Sequence, residues 1–169
     1  MKKFLIIFTS FILLNLVSAN NLEFTDIQID ANASGVLELL LDNPVDVVGG
    51  FQFQVIDIPD QGVFTAIEGT DRTNGFQIEF NEQPDGSIII VGFDLNLQGI
   101  QPGSGPILSL TYQSTNQYTS EISVSSLEQV TFLSDLLGYP LNFDLSNGTI
   151  YVQGEAPPPI QGIDNLTAT

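Results

Sequence analysis

Short runs that alternate apolar and polar side chains, each closed by turn-forming residues, constrain this chain most. Leu22-Glu23-Phe24-Thr25-Asp26-Ile27-Gln28-Ile29 repeats with period two, and so does Phe51-Gln52-Phe53-Gln54-Val55. Period two places one set of side chains on a core and the other in solvent, the pattern of a half-buried strand. Ala31-Asn32-Ala33-Ser34-Gly35 and Gln83-Pro84-Asp85-Gly86 read as turns, the second as a hairpin connection. Gly49-Gly50 before Phe51 signals a bulge or a close backbone approach. Nine strands are predicted: Leu22–Ile29, Val36–Leu41, Phe51–Val55, Gly62–Ile67, Phe76–Phe80, Ser87–Leu95, Pro106–Gln113, Glu121–Phe132 and Thr149–Gln153. No segment sustains a helical period, and the best helical turn is Ser134-Asp135-Leu136-Leu137. The expected fold class is all-β, a nine-stranded jelly-roll-like β-sandwich.

The ends of the chain read differently. Lys2 and Lys3 precede an apolar stretch from Phe4 to Val17, and Val17-Ser18-Ala19 offers small residues for cleavage. That is the pattern of a secretory signal peptide over residues 1–19, with Asn20 as the mature N-terminus. The run is short for a spanning helix. The expected product is a secreted, extracellular or cell-surface chain, with no membrane insertion once the signal is removed. Residues 20–154 form the expected domain. Glu155-Ala156-Pro157-Pro158-Pro159 then opens a Pro-rich linker or tail over 155–169, extended in character.

Composition narrows the chemistry. The 169 residues include no Cys, no His and no Trp, so thiolate and imidazole metal sites and Ser-His or Cys-His catalysis are excluded. The formal net charge of −17 comes from 20 acids against 3 bases, and two of those bases are in the signal. Arg72 is then the only cation of the mature domain, which excludes nucleic acid as a partner. Self-repulsion at that charge predicts a salt-sensitive monomer. Without Cys no disulfide supports the fold, so a core must do so.

Carboxylates are the remaining reactive groups. Glu79 with Glu82, and Glu68 with Asp71, are the pairs a hydrolase could use, but no base or orienting group accompanies them. No catalytic residue is assigned and an enzyme ranks last. Calcium is the more plausible cofactor, because it needs only oxygen ligands. Asp42, Asp46, Asp57 and Asp60 are its candidate ligands, in two loops read as adjacent; turn formation is the competing role. No cofactor is required. Arg72 either neutralises Asp71 or Glu68 or anchors a binding loop. Tyr112 and Tyr118 are the further binding-face candidates, since tyrosine couples an apolar ring to a polar tip. Asn32-Ala33-Ser34, Asn147-Gly148-Thr149 and Asn165-Leu166-Thr167 fit the glycosylation acceptor pattern.

Four stretches, taken in order, resemble the cohesin domain. They are Val47-Val48-Gly49-Gly50-Phe51-Gln52-Phe53-Gln54-Val55, then Asp85-Gly86-Ser87-Ile88-Ile89-Ile90-Val91-Gly92-Phe93. The third runs from Ile100 through Pro102-Gly103 to Tyr112, and the last from Leu137-Gly138-Tyr139-Pro140 through Asn147-Gly148-Thr149-Ile150-Tyr151-Val152. The resemblance spans roughly residues 22–153. Where the family has a Tyr-Asp-Pro-like turn, this chain reads Ile56-Asp57-Ile58-Pro59-Asp60. The resemblance implies a non-catalytic module that docks a calcium-loaded dockerin-type protein. The strands around Ser87–Leu95 and Pro106–Gln113 are expected to supply its flat, partly apolar face. A polysaccharide-binding module and a structural spacer of a surface protein are the alternatives on the same fold.

Overall fold

The computed structural model describes residues 19–156; the expected signal of residues 1–19 apart from Ala19, residues 157–169 and the third acceptor triplet lie outside the described residues. Among the described residues twelve strands follow in order: β1 (Asn20–Phe24), β2 (Ile27–Asp30), β3 (Ser34–Asn43), β4 (Gly50–Ile58), β5 (Gly62–Gly69), β6 (Phe76–Glu82), β7 (Ile88–Asp94), β8 (Gly103–Ser114), β9 (Ser120–Ser126), β10 (Phe132–Ser134), β11 (Phe143–Ser146) and β12 (Gly148–Gln153). One 3₁₀ turn, Asp71–Thr73, lies between β5 and β6.

The strands form two sheets. The first has the order β11-β1-β3-β8-β5, and the second β2-β12-β9-β4-β7-β6 with β10 also on β4. β1–β11 and β2–β12 pair in parallel, while the other neighbours are antiparallel. The inner faces meet in one core. Leu22, Phe24, Leu37, Leu39, Leu41, Leu108, Leu110 and Tyr112 come from the first sheet. Phe51, Phe53, Val55, Ile88, Ile90, Ile122, Val124, Ile150 and Val152 come from the second. Every one of these sits in phase with its strand's alternation, which is why the sheets pack face to face.

Twelve strands replace the nine predicted, and each difference has a local cause. Leu22–Ile29 divides at Thr25-Asp26: β1 joins the first sheet and β2 the second. Thr25 fixes the corner, donating its N–H to the Glu38 carbonyl and accepting the Glu38 N–H on Oγ1. Glu121–Phe132 divides into β9 and β10 because Leu127–Thr131 closes a turn through Val130 and Thr131 onto the Leu127 carbonyl. β11 was not predicted. The Ser134–Leu137 segment is no helix: Ser134 ends β10, and the Asp135 carboxylate takes the N–H groups of Leu137 and Tyr139 in a turn.

The Gln83–Gly86 turn holds, whereas the predicted Ala31–Gly35 turn is cut short because Ser34 and Gly35 begin β3. Gln83–Gly86 joins β6 to β7, with the Gln83 N–H on the Ser87 carbonyl at 2.7 Å and Gly86 at φ +84°. At Gly49 a side chain would lie 2.6 Å from the Asp135 carbonyl oxygen, so glycine there permits a close backbone approach.

Candidate interaction surface

Strand register places the outward side chains in rows across each sheet. On the second sheet one row runs Glu79, Val91, Gln52, Phe132 from β6 to β10. The next is Asn81, Ile89, Gln54, and further along β4 lie Ile56 opposite Ser125 and Ile58 opposite Ser123. Phe93 stands between Gln77 and the side-chain-free Gly50. The outward residues of β4 and β7 are thus Gln52, Gln54, Ile56, Ile58, Ile89, Val91 and Phe93, without a single charge. Ile58 is 60% exposed, Phe132 41% and Phe93 40%, while Ile56, Ile89 and Val91 between them are half-buried. Glu79 on β6 and Glu121 on β9 flank it.

The other sheet differs. Its outward rows carry Asp42 opposite Asn21, with Asp144 on the far side, and Glu38 opposite Ser109, with Glu68 beyond. One face is therefore acidic and the other a neutral apolar strip with amide side chains. The strip matches what the core of a protein interface requires, apolar area depleted of charge inside a polar rim. Of the two strands expected to build such a face, Ser87–Leu95 supplies it as β7. Pro106–Gln113 does not, because β8 lies between β3 and β5 in the acidic sheet.

Arg72 is held in the 3₁₀ turn and aimed at the start of β8. Its Nη1 donates to the carbonyls of Leu41 and Gly105, and its Nη2 to Asn43 Oδ1 and the carbonyls of Gln101 and Gly103. These oxygens are neutral, so neither Asp71 nor Glu68 takes the expected role of ion-pair partner. Burial pulls the guanidinium below its ordinary pKa, against the opposing charge of Asp42. Arg72 thus ties β3, the loop before β8 and the β5–β6 connection together. A shallow polar cleft of about 480 Å³ beside it is lined by Glu38, Thr70, Asp71, Ser104 and Ser109 among others, on the acidic face.

Tyr112 is a correction. It is fully buried, in phase with Leu108 and Leu110 on the inner face of β8, and packs edge-on against Phe64 at 5.2 Å. Its hydroxyl donates to Asp57 Oδ2 at 2.7 Å, joining the two sheets through the core. Burial raises the Asp57 pKa, opposed by the Tyr112 and Gln61 hydrogen bonds; burial and the same bond push the phenol far up. Tyr118 is half-buried and bridges to Glu155. The exposed tyrosines are Tyr139 and Tyr151.

The four aspartates expected to surround calcium do not meet. Asp46 precedes β4 and Asp57 lies near its end, so the strand's length separates Asp42 and Asp46 from Asp57 and Asp60. Asp46 accepts from Asn20, and Asp57 from Tyr112. Among the described residues no three acidic side chains come together to hold a metal ion.

No protein-family model matches this sequence, and no curated protein matches it. Solved structures do. The sixth cohesin of Acetivibrio cellulolyticus scaffoldin B, solved in complex with a Cel5 dockerin, superposes with a TM-score of 0.69 at 16% identity, covering 80% of this chain and 100% of that one. The solution structure of CaCohA2 from Clostridium acetobutylicum gives 0.70 at 16% identity, over 82% of this chain and 94% of that one. A non-cellulosomal cohesin from the archaeon Archaeoglobus fulgidus gives 0.68 at 13%, over 80% and 91%. Two packed sheets with this strand order, and superposition over nearly the whole of three cohesins, show that the chain has the fold of a cohesin domain.

Proposed function

We propose that this chain is a non-catalytic docking module that takes a dockerin-type protein on the open face of the β9-β4-β7-β6 layer. The observation that carries this reading is the uncharged strip of Ile56, Ile58, Ile89, Val91 and Phe93, exposed at Ile58 and Phe93, half-buried at the other three and bordered by polar side chains. Cohesins of the same fold solved in complex with dockerins support it. The absence of Cys and His supports a non-catalytic role. Any calcium dependence resides in the partner, because the candidate aspartates of this chain are spread over both ends of β4. The module acts outside the cell, after removal of residues 1–19, and as a monomer.

Capture tests the reading. Residues 20–156 on beads, exposed to the secreted proteins of the source organism with calcium and with chelator, should retain a dockerin-bearing protein that chelator releases. Val91→Asp should weaken that capture about tenfold or more, because it puts a charge in the centre of the interface. Ser109→Asp, on the opposite sheet, should leave it unchanged. Retention on a polysaccharide with no captured protein, or capture indifferent to Val91→Asp, overturns the proposal.

A further inference from the structure

The end of the sandwich where β3 turns toward β4 is closed by a polar plug. Asn20, the first residue of β1, is only 1% exposed. Its Nδ2 donates to Asp46 Oδ2 at 2.9 Å and to the Asn142 carbonyl at 2.8 Å. Its Oδ1 is also buried, yet has no donor among the described residues. Asn43 lies in the same plug, fully buried, its Nδ2 on the Asp46 and Gln101 carbonyls and its Oδ1 taken by Arg72. This end is rich in acceptors and short of donors, a costly state for buried polar atoms.

Two independent features converge on the bond before Asn20. Ala19 is exposed and Asn20 is buried. The sequence pattern Val17-Ser18-Ala19 places the processing junction at the same bond. We propose that cleavage there creates a structural cation: the released α-ammonium of Asn20, paired with the Asp46 carboxylate and anchoring β1 in the mature domain.

The charge around it fits. By ordinary bond lengths the Asn20 backbone nitrogen lies within about 8 Å of Asp46 Oδ2. Asp42 on β3 and Asp144 on β11 stand opposite Asn21, so β1 starts between three carboxylates. Arg72, the other cation of the mature chain, is committed to Asn43 and four carbonyls. In the uncleaved chain the same position holds a neutral amide with one N–H. Hydrolysis of the Ala19–Asn20 peptide by water leaves a carboxylate on Ala19 and, once protonated, an ammonium with three N–H donors on Asn20. The sandwich is then most stable only after processing.

The test compares chains 20–169 and 19–169, each also carrying Asp46→Asn, in thermal unfolding from pH 6 to 10. The chain beginning at Asn20 should melt about 1–4 °C higher at pH 7 than the chain retaining Ala19. An α-amino group ordinarily loses its proton at about 7.7–8.0. The advantage should therefore be present at pH 7 and lost as the ammonium deprotonates at higher pH. It should also vanish with Asp46→Asn, which keeps the side-chain acceptor and removes the charge. Equal melting of the two chains at pH 7, or an advantage that survives pH 10 or Asp46→Asn, overturns the inference. So does N-terminal sequencing of the exported protein that begins at any residue other than Asn20. None of these results bears on docking at the opposite strip, so the two proposals stand or fall separately.

Discussion

Tyr112 and Asp57 show how far single residues can be read. Phe51, Phe53, Val55 and Asp57 share one phase, as do Leu108, Leu110 and Tyr112, so the alternation marks both polar residues as inward. What it does not give is the partner, because the two strands belong to different sheets and meet only across the core. The pair makes separable demands on stability. Removing the hydroxyl in Tyr112→Phe leaves the Asp57 carboxylate with the Gln61 N–H at 3.4 Å as its remaining partner, and should cost about 1–3 kcal/mol in denaturant unfolding. Asp57→Asn keeps an acceptor for the tyrosine while removing the buried charge. The folded pKa of Asp57 is raised by burial, so its contribution is fully present below the unfolded value and is lost as pH rises through the folded one. Asp57→Asn should therefore remove that decline from the stability–pH profile; an unchanged decline would assign it to other carboxylates. Asp94 works in the opposite sense. The N–H groups of Gly99, Asn96 and Gln98 hold its pKa down, giving stability present above the unfolded value and lost as pH falls through the folded one.

Strands were legible where one phase of apolar residues ran unbroken, and less so where a strand changes sheet. β3, β4, β7 and β8 follow their alternation closely. The corners at Thr25-Asp26 and Leu127–Thr131 carry no proline or glycine, and their position depends on pairing with distant strands. β7 also shows why the apolar strip proposed for docking was only half visible. Ile88-Ile89-Ile90-Val91 is apolar on both faces, which reads equally as a strand buried on both sides. Only the structure leaves one of those faces open. Within the same strand Gly92 points inward, and a side chain there would lie 2.1 Å from the Phe51 ring. That ring stacks on Phe53 at 5.1 Å and on Phe76 at 5.8 Å, so it has little room to withdraw. Gly92→Ala should consequently destabilise by about 1–3 kcal/mol, as overpacked cores do. A neutral result in urea unfolding would mean that the aromatic stack yields without cost.

At the scale of the molecule, charge is distributed unequally over a fold that charge does not determine. Hydrophobic alternation chooses the two sheets, while the chain's 20 acids against 3 bases decide how it behaves in solution. Arg72 offers little relief, since its hydrogen bonds run to neutral oxygens and its task is to join three segments of the first sheet. Acidic side chains on that sheet, Glu38 and Glu68 flanking Ser109 and Asp42 with Asp144 flanking Asn21, repel one another across neighbouring strands. Compaction brings such charges closer than they are in the unfolded chain, so screening should favour the folded state. The Debye length shortens from ~30 Å at 0.01 M to ~3 Å at 1 M salt, spanning the distances between these side chains. The melting temperature should therefore rise with sodium chloride over that range, and Glu38→Gln should raise it at low salt while reducing the dependence. A melting temperature that falls or stays flat would mean that attraction, centred on the few cations, outweighs repulsion among the carboxylates, and that the acidic sheet is not a source of strain.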